Sequence, residues 1–164
     1  MPERSAAYAE QFEAAQDEFI RLVESLDDEQ WIRVGKNHPQ RINEEDEART
    51  VGVIAHHVAI NGDFIIDRIQ RMARGETLPP AGDFRKANAD HAADHAAVTR
   101  DETLRVLRES KPGIAAAVRS IPDDQLDLTR ETPAGPMSVA FRLERVLIGH
   151  IQIHQGSIEA AIAD

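Results

Sequence analysis

The sequence predicts an all-α protein built as a four-helix bundle. Three observations carry that expectation. Four long segments place apolar residues at steps of three and four, the period of one helix face. No segment of any length alternates with period two; Leu126-Asp-Leu128-Thr129 comes nearest and is too short for a strand of its own. Pro39, Pro79-Pro80, Pro122, Pro133 and Pro136 fall between the periodic segments, with Pro112 the exception inside one.

The first helix is expected over 5–26, with Tyr8, Phe12, Ala15, Phe19, Leu22 and Leu26 on one stripe. A short helix over 27–32 follows, because Asp27 can cap it and Trp31 can fold back on the core. Residues 35–49, with Pro39 and the run Glu44-Glu45-Asp46-Glu47, form a polar loop. The second long helix runs from Thr50 to Ala73 and stops at Gly75 and Pro79-Pro80. Residues 84–98, rich in Ala, Asp and His, suit a short helix. Thr99-Arg-Asp-Glu102 has capping-box form and starts the third long helix, which Pro112-Gly113 should kink. A loop containing Pro122, Pro133, Gly135 and Pro136 leads to the last helix, 138–163. With 164 residues the chain is expected to form a single domain over 1–164.

Composition narrows function by exclusion. Nineteen basic against 29 acidic side chains give a net charge of −10, which disfavours nucleic-acid phosphate as a partner. The absence of Cys removes disulfides, thiolate metal sites and a cysteine nucleophile. No apolar run approaches the ~18 residues of a membrane span, and MPERSAAYAEQFE is not a signal peptide. No membrane partner and a cytoplasmic location are the expectation.

The seven histidines carry the chemical signal: His38, His56, His57, His91, His95, His150 and His154. On a wheel begun at Val139, His150 lies at about 20° and His154 at about 60°, inside the stripe of Leu143, Leu147 and Ala161. Two imidazoles one turn apart can share one metal ion; a hydrogen-bonded core pair is the bland alternative. On the second helix His57 falls beside Asn61, at the edge of the stripe Val51, Ile54, Val58, Ile65, Ile69 and Met72. His56 falls between Asp63 and Asp67 on the polar face, so His56→Ala should change stability by no more than about 0.5 kcal/mol. His91 and His95, in DHAADHAA, suit a solvated face, with a place at the mouth of a site as the minority reading.

Three imidazoles on two helices, His57, His150 and His154, would leave metal positions open for water or substrate, as catalytic sites do. His150-Ile-Gln-Ile-His154 lacks the Glu that gives zincins their base. Neither His150 nor His154 has a Glu three residues before it, against a di-iron centre, and no G-x-S-x-G or phosphate loop occurs.

Thr50-Val-Gly-Val-Ile-Ala-His-His-Val58 and Leu147-Ile-Gly-His-Ile-Gln-Ile-His-Gln-Gly-Ser-Ile158 resemble the DinB-like superfamily. That group includes metal-dependent hydrolases, bacillithiol S-transferases and mycothiol-dependent maleylpyruvate isomerase. The resemblance implies an up-down-down-up bundle with a long crossover between the second and third helices, here residues 74–98. It implies a metal triad that matches His57, His150 and His154. The family often continues with His-Arg-Gly-Gln after the second ligand, whereas Gln155-Gly156-Ser157 follows His154. The doubled His56-His57 leaves a one-residue choice of register.

The resulting expectation is a metal-dependent enzyme acting on a small molecule, by transfer of a low-molecular-weight thiol or by metal-assisted hydrolysis. The other class is a metal- or small-ligand-binding stress-response protein without turnover, and the third is a bundle whose histidines only satisfy one another. Zinc is the first candidate metal, with nickel or iron as alternatives. Affinity should weaken as pH falls through ~6.5, since ligand imidazoles must be neutral. The resemblance and the nearly all-round apolar second helix add a homodimer to these expectations.

Overall fold

The structure is a computed structural model that describes residues 3–36, 49–80, 82–132 and 134–163. The expected polar loop, with His38, Pro39 and the acidic run, lies largely outside the described residues. The chain is mostly helical, with one small two-stranded sheet: α1 (Glu3–Ser25), α2 (Asp28–Ile32), α3 (Val51–Ala73), α4 (Phe84–Asp94), α5 (Arg100–Arg119), β1 (Thr129–Thr132), β2 (Gly135–Ser138), α6 (Val139–Arg142) and α7 (Gly149–Ile162). A π-helical stretch, Leu143–Ile148, joins α6 to α7.

The helix starts follow from the residues that precede them. Asp27 and Gln30 form a reciprocal capping box at α2, and Thr99 and Glu102 form another at α5. Thr50 Oγ1 accepts from Val53 N–H (3.2 Å) at α3, and Ser138 Oγ accepts from Phe141 N–H (3.0 Å) at α6. The start of α1 is capped from across the chain: the Asp123 carboxylate accepts from the Arg4 and Ser5 amides at 3.0 Å each. Arg4 in turn grips Asp127 with both guanidinium nitrogens. α3 ends at Ala73, two residues before Gly75, which takes the φ of +76° that favours glycine.

Four long elements share one core. α1 packs against α5 and α7, and α3 packs against α5 and α7. Phe12, Phe19, Leu107, Ile114, Ile54, Ile69, Leu147 and Ile158 are all buried to 1% exposure or less. Ion pairs line the rim between α1 and α5, Glu13–Arg119, Asp17–Lys111 and Glu24–Arg108. The isolated Val34–Thr50 bridge holds the end of α2 beside the start of α3: Val51 N–H donates to Arg33 O, and Gly35 N–H to Arg49 O, each at 2.8 Å.

One expectation changes. The segment expected to be loop before the last helix contains an antiparallel hairpin, Thr129 opposite Ser138 through Thr132 opposite Gly135. Each strand has four residues, too few to give a periodic signal, and Gly135 supplies the positive φ (+99°) at the turn. α5 runs through Pro112 without a break. Pro112 and Gly113 face solvent, so the carbonyl left without an N–H partner by proline can be hydrated.

Candidate metal centre

The N-terminal half of α3 is buried on every side. All nine residues from Val51 to Ala59 are buried, including His56 and His57, whereas Ile60, Asp63 and Phe64 are exposed. Trp31 of α2 closes one side of this half-helix, and a Cβ at Gly52 would come within 2.5 Å of its indole. The rings of His91 and His95 on α4 cover another side.

The second imidazole source is α7. The preceding π-helical turn is closed by Gly149 N–H donating to Glu144 O, five residues back. A Cβ at Gly149 would meet that same carbonyl oxygen at 3.2 Å, so glycine fits the crowded turn. Through the wider turn the buried positions step by four, Leu143, Leu147, Ile151, and then continue as His154, Ile158 and Ala161. His154 is thereby 1% exposed, at the centre of the buried stripe, while His150 lies partly buried at its flank.

His57, His150 and His154 come together. One ring nitrogen from each lies within 4.8 Å of the other two. His57 Nε2 is 3.1 Å from His150 Nε2, and the His154 ring stands edge-on to both neighbours at centroid distances of 4.9 and 4.6 Å. Asn61, one turn along α3, sets its amide nitrogen 3.1 Å from His57 Nδ1 and 2.6 Å from the His57 carbonyl. An amide N–H donating to Nδ1 leaves the ring proton on Nε2, facing His150. The three residues are those singled out from the sequence, on the two helices expected.

His56, His91 and His95 depart from expectation. His56, expected on a polar face, is 7% exposed and belongs to a second group with His91 and His95, again with ring nitrogens within 4.8 Å of one another. His56 Nδ1 is 2.9 Å from His91 Nε2, with the rings stacked at 9°, and His95 lies 4.4 Å from His56 and 4.8 Å from His91 by centroid. His91 and His95 are therefore half-buried, not on a solvated face. The wheel averages a helix whose two ends have different surroundings: Asp63 and Asp67 are exposed, whereas His56 lies against the rings of His91 and His95. Burial first, then the His95 charge, lowers the pKa of His56. Burial first, then His56, His95 and Arg49, pushes His91 down to about 4, against a smaller opposite pull from Asp94. The two groups adjoin, with the His57 and His91 rings 5.8 Å apart.

A hollow of about 290 Å³ lies between α2 and the start of α5, lined by Trp31, Val98 and Arg100 among others and by no histidine. Its walls offer one carboxylate, Asp28, and so fewer metal-ligating groups than either set of three imidazoles.

The profile of the DinB superfamily matches residues 11–158. Among solved structures the chain is similar to a histidine-to-alanine mutant of mycothiol-dependent maleylpyruvate isomerase, with a TM-score of 0.62 and 16% sequence identity. The alignment covers 96% of this chain and 60% of that one, so this chain spans about three fifths of that protein's length. Likeness at that identity establishes the fold. No curated protein matches the sequence.

Proposed function

We propose, for a chain that belongs to the DinB superfamily, that His57, His150 and His154 bind one divalent transition metal and that the site serves a small-molecule reaction. One observation carries this reading: three buried or half-buried imidazoles from two helices place their ring nitrogens within 4.8 Å of one another. The donor set fits, since neutral imidazole suits zinc, nickel and iron alike, with zinc the first candidate. A divalent ion held there supplies Lewis acidity, which favours the deprotonated form of a thiol or a water. The chain's own contribution is to fix three neutral rings, exclude bulk water from His154, and leave the remaining positions to substrate. Transfer of a low-molecular-weight thiol to an electrophile, or metal-assisted hydrolysis, is the reaction class in this reading. The solved relative's name, a mycothiol-dependent isomerase, supports a thiol partner.

The reading includes a single-domain bundle in up-down-down-up order. Glu13 pairs with Arg119 and Glu24 with Arg108, which sets α1 against α5. Gly62 approaches Ile114, and Gln70 reaches Ala117 and Ser120, which runs α3 along α5. Arg33, beside the start of α3, donates to Ala161 O at the end of α7, so α7 returns. A cytoplasmic location stays in the reading; no described helix is long and apolar enough to cross a membrane. A homodimer does too, for Ile60 and Phe64 leave one turn of apolar surface on α3 42% and 46% exposed. Nucleic acid stays outside it, on the net charge of −10.

Elemental analysis after mild purification tests the metal. At least one equivalent of zinc, nickel or iron per chain is expected; less than a tenth of an equivalent, not restored by added metal, overturns the reading. A turnover screen with thiols and electrophilic acceptors then separates an enzyme from a binding protein. The binding-protein reading is favoured by the donor set, since no described carboxylate joins the three imidazoles as a base.

Asn61 should tune the site without touching the ion. For His57 to ligate through Nε2 its proton must sit on Nδ1, and the Asn61 amide must turn over to accept it. Asn61→Asp offers a carboxylate acceptor there and should tighten metal binding, while Asn61→Leu should weaken it by about 10- to 100-fold. Competition against a chromophoric chelator measures both; equal affinities in the two variants would remove Asn61 from this role.

A further inference from the structure

We propose that His56, His91 and His95 form a second divalent-metal site, beside the first, that fastens α4 to α3. Three observations lead to it. The three rings bring nitrogens from two helices within 4.8 Å of one another, the same criterion that the first group meets. α4 buries none of its residues, so apolar packing does not account for its seat over α3, and the contacts of His91 and His95 with His56 link it to that helix. The contact between His56 Nδ1 and His91 Nε2 leaves His91 Nδ1 buried with no hydrogen-bond partner among the described residues. A buried polar atom without a partner points to a missing ion or water, and a simple stack of hydrogen-bonded rings does not satisfy it.

The chemistry suits a transition-metal ion better than calcium or magnesium, because all three donors are imidazole nitrogens. The spacing His91-Ala-Ala-Asp-His95 puts one ring in the last turn of α4 and one on the residue that caps it, and His56 supplies the third from α3. Charged groups near the rings have both signs. Arg49 stands against a cation at His91, while Asp94 faces His91 and Glu102 faces His56. The site would give the segment between α3 and α5 a metal-dependent anchor immediately beside the His57 group, whose ring lies 5.8 Å from His91. This inference does not rest on the function proposed for the first group.

The test is a titration of metal-stripped full-length protein with Co²⁺, read by visible absorbance and by elemental analysis after desalting. It compares the wild type with two double variants, His91→Ala with His95→Ala, and His150→Ala with His154→Ala. Two equivalents in the wild type and one in each variant support both sites. A single equivalent kept by the α4 variant and lost by the α7 variant overturns the second site and leaves the first standing. A single equivalent lost only by the α4 variant supports the second site and overturns the first. A single equivalent lost by both variants denotes one shared ion and overturns the second as a separate site. No bound metal in the wild type overturns both.

Circular dichroism checks that each variant is folded, and His91→Asn with His95→Asn keeps the test available if alanine disturbs α4. Trypsin supplies a readout independent of stoichiometry, since Arg85 and Lys86 stand exposed in the first turn of α4. Zinc should slow cleavage there several-fold in the wild type and in the α7 variant, but not in the α4 variant. Equal cleavage with and without zinc in the wild type would overturn the anchor.

Discussion

A His57→Ala variant is expected to lose one equivalent of bound divalent metal, with affinity at that site down by about 100-fold or more. The estimate is a floor, because removing a group that merely orients a ligand already costs about 10- to 100-fold. The chain has no Cys, and among the described residues no carboxylate joins the group around His57; the His91 ring, 5.8 Å away, belongs to the neighbouring group. Losing the ion should also lower holo-protein stability. An ion at a hundred times its Kd stabilises the native state by about 2.7 kcal/mol. For a domain of this size that is about 5–10 °C in Tm, absent in the variant. His56→Ala provides the contrast. It should keep the ion held through His57, yet destabilise the metal-free protein by about 1–3 kcal/mol, because it strips the 2.9 Å partner from a half-buried His91. Isothermal titration and paired melts with and without metal separate the two variants. Metal loss from the first site in His56→Ala, with retention in His57→Ala, would exchange the roles of the adjacent histidines.

That contrast shows where the sequence was legible and where it was not. Helix existence and type followed from apolar period and caps, both local properties: Thr50, Asp27 and the Thr99–Glu102 box start helices as expected. His57 and His154 are legible because each lies on or beside a local run of buried apolar residues, Val51, Ile54 and Val58 for the first and Leu147, Ile151 and Ile158 for the second. His56 is not. Its burial depends on α4, a helix with too little apolar surface to announce a docking face, so nothing local says what it covers.

The extent of the last helix is legible in its apolar period, but its rotation is not. A wheel at a fixed angle per residue carries the stripe straight from Val139 to Ala161, but the π-helical turn ending at Gly149 resets the rotation midway. With the wider turn, His154 moves to the buried centre and His150 to the flank. Gly149 was the signal available in the sequence, and its meaning emerges only beside the Glu144 carbonyl. The hairpin after α5 was hidden for a different reason: four-residue strands are too short to show a period.

Trp31→Ala is expected to have the largest effect on stability, about 3–5 kcal/mol in the metal-stripped protein. The side chain is 9% exposed and belongs to the core. Its Nε1–H donates to Val98 O at 2.9 Å, tying α2 to the residue just before the cap of α5. Its ring lies so close over Gly52 that an added Cβ would come within 2.5 Å of the indole. One side chain therefore joins α2, the first turn of α3 and the approach to α5. Truncation removes the ring and leaves a cavity between elements that are otherwise held there by the short Val34–Thr50 bridge. Trp31→Phe restores most of the volume but not the donor, so it should cost about 1–2 kcal/mol. Gly52→Val attacks the same contact from the other side: it crowds the ring where alanine substitution empties the space, at a cost of about 1–3 kcal/mol. Denaturant melts followed by far-UV circular dichroism measure all three, because the only tryptophan is lost in two of them. Removing metal first keeps ligand linkage out of the comparison. Gly52 lies one turn before His56, so loosening this contact should also weaken metal binding at His57, and by less than removing the imidazole does. A Trp31→Ala protein within about 1 kcal/mol of the wild type would show that the start of α3 is held by something other than this indole.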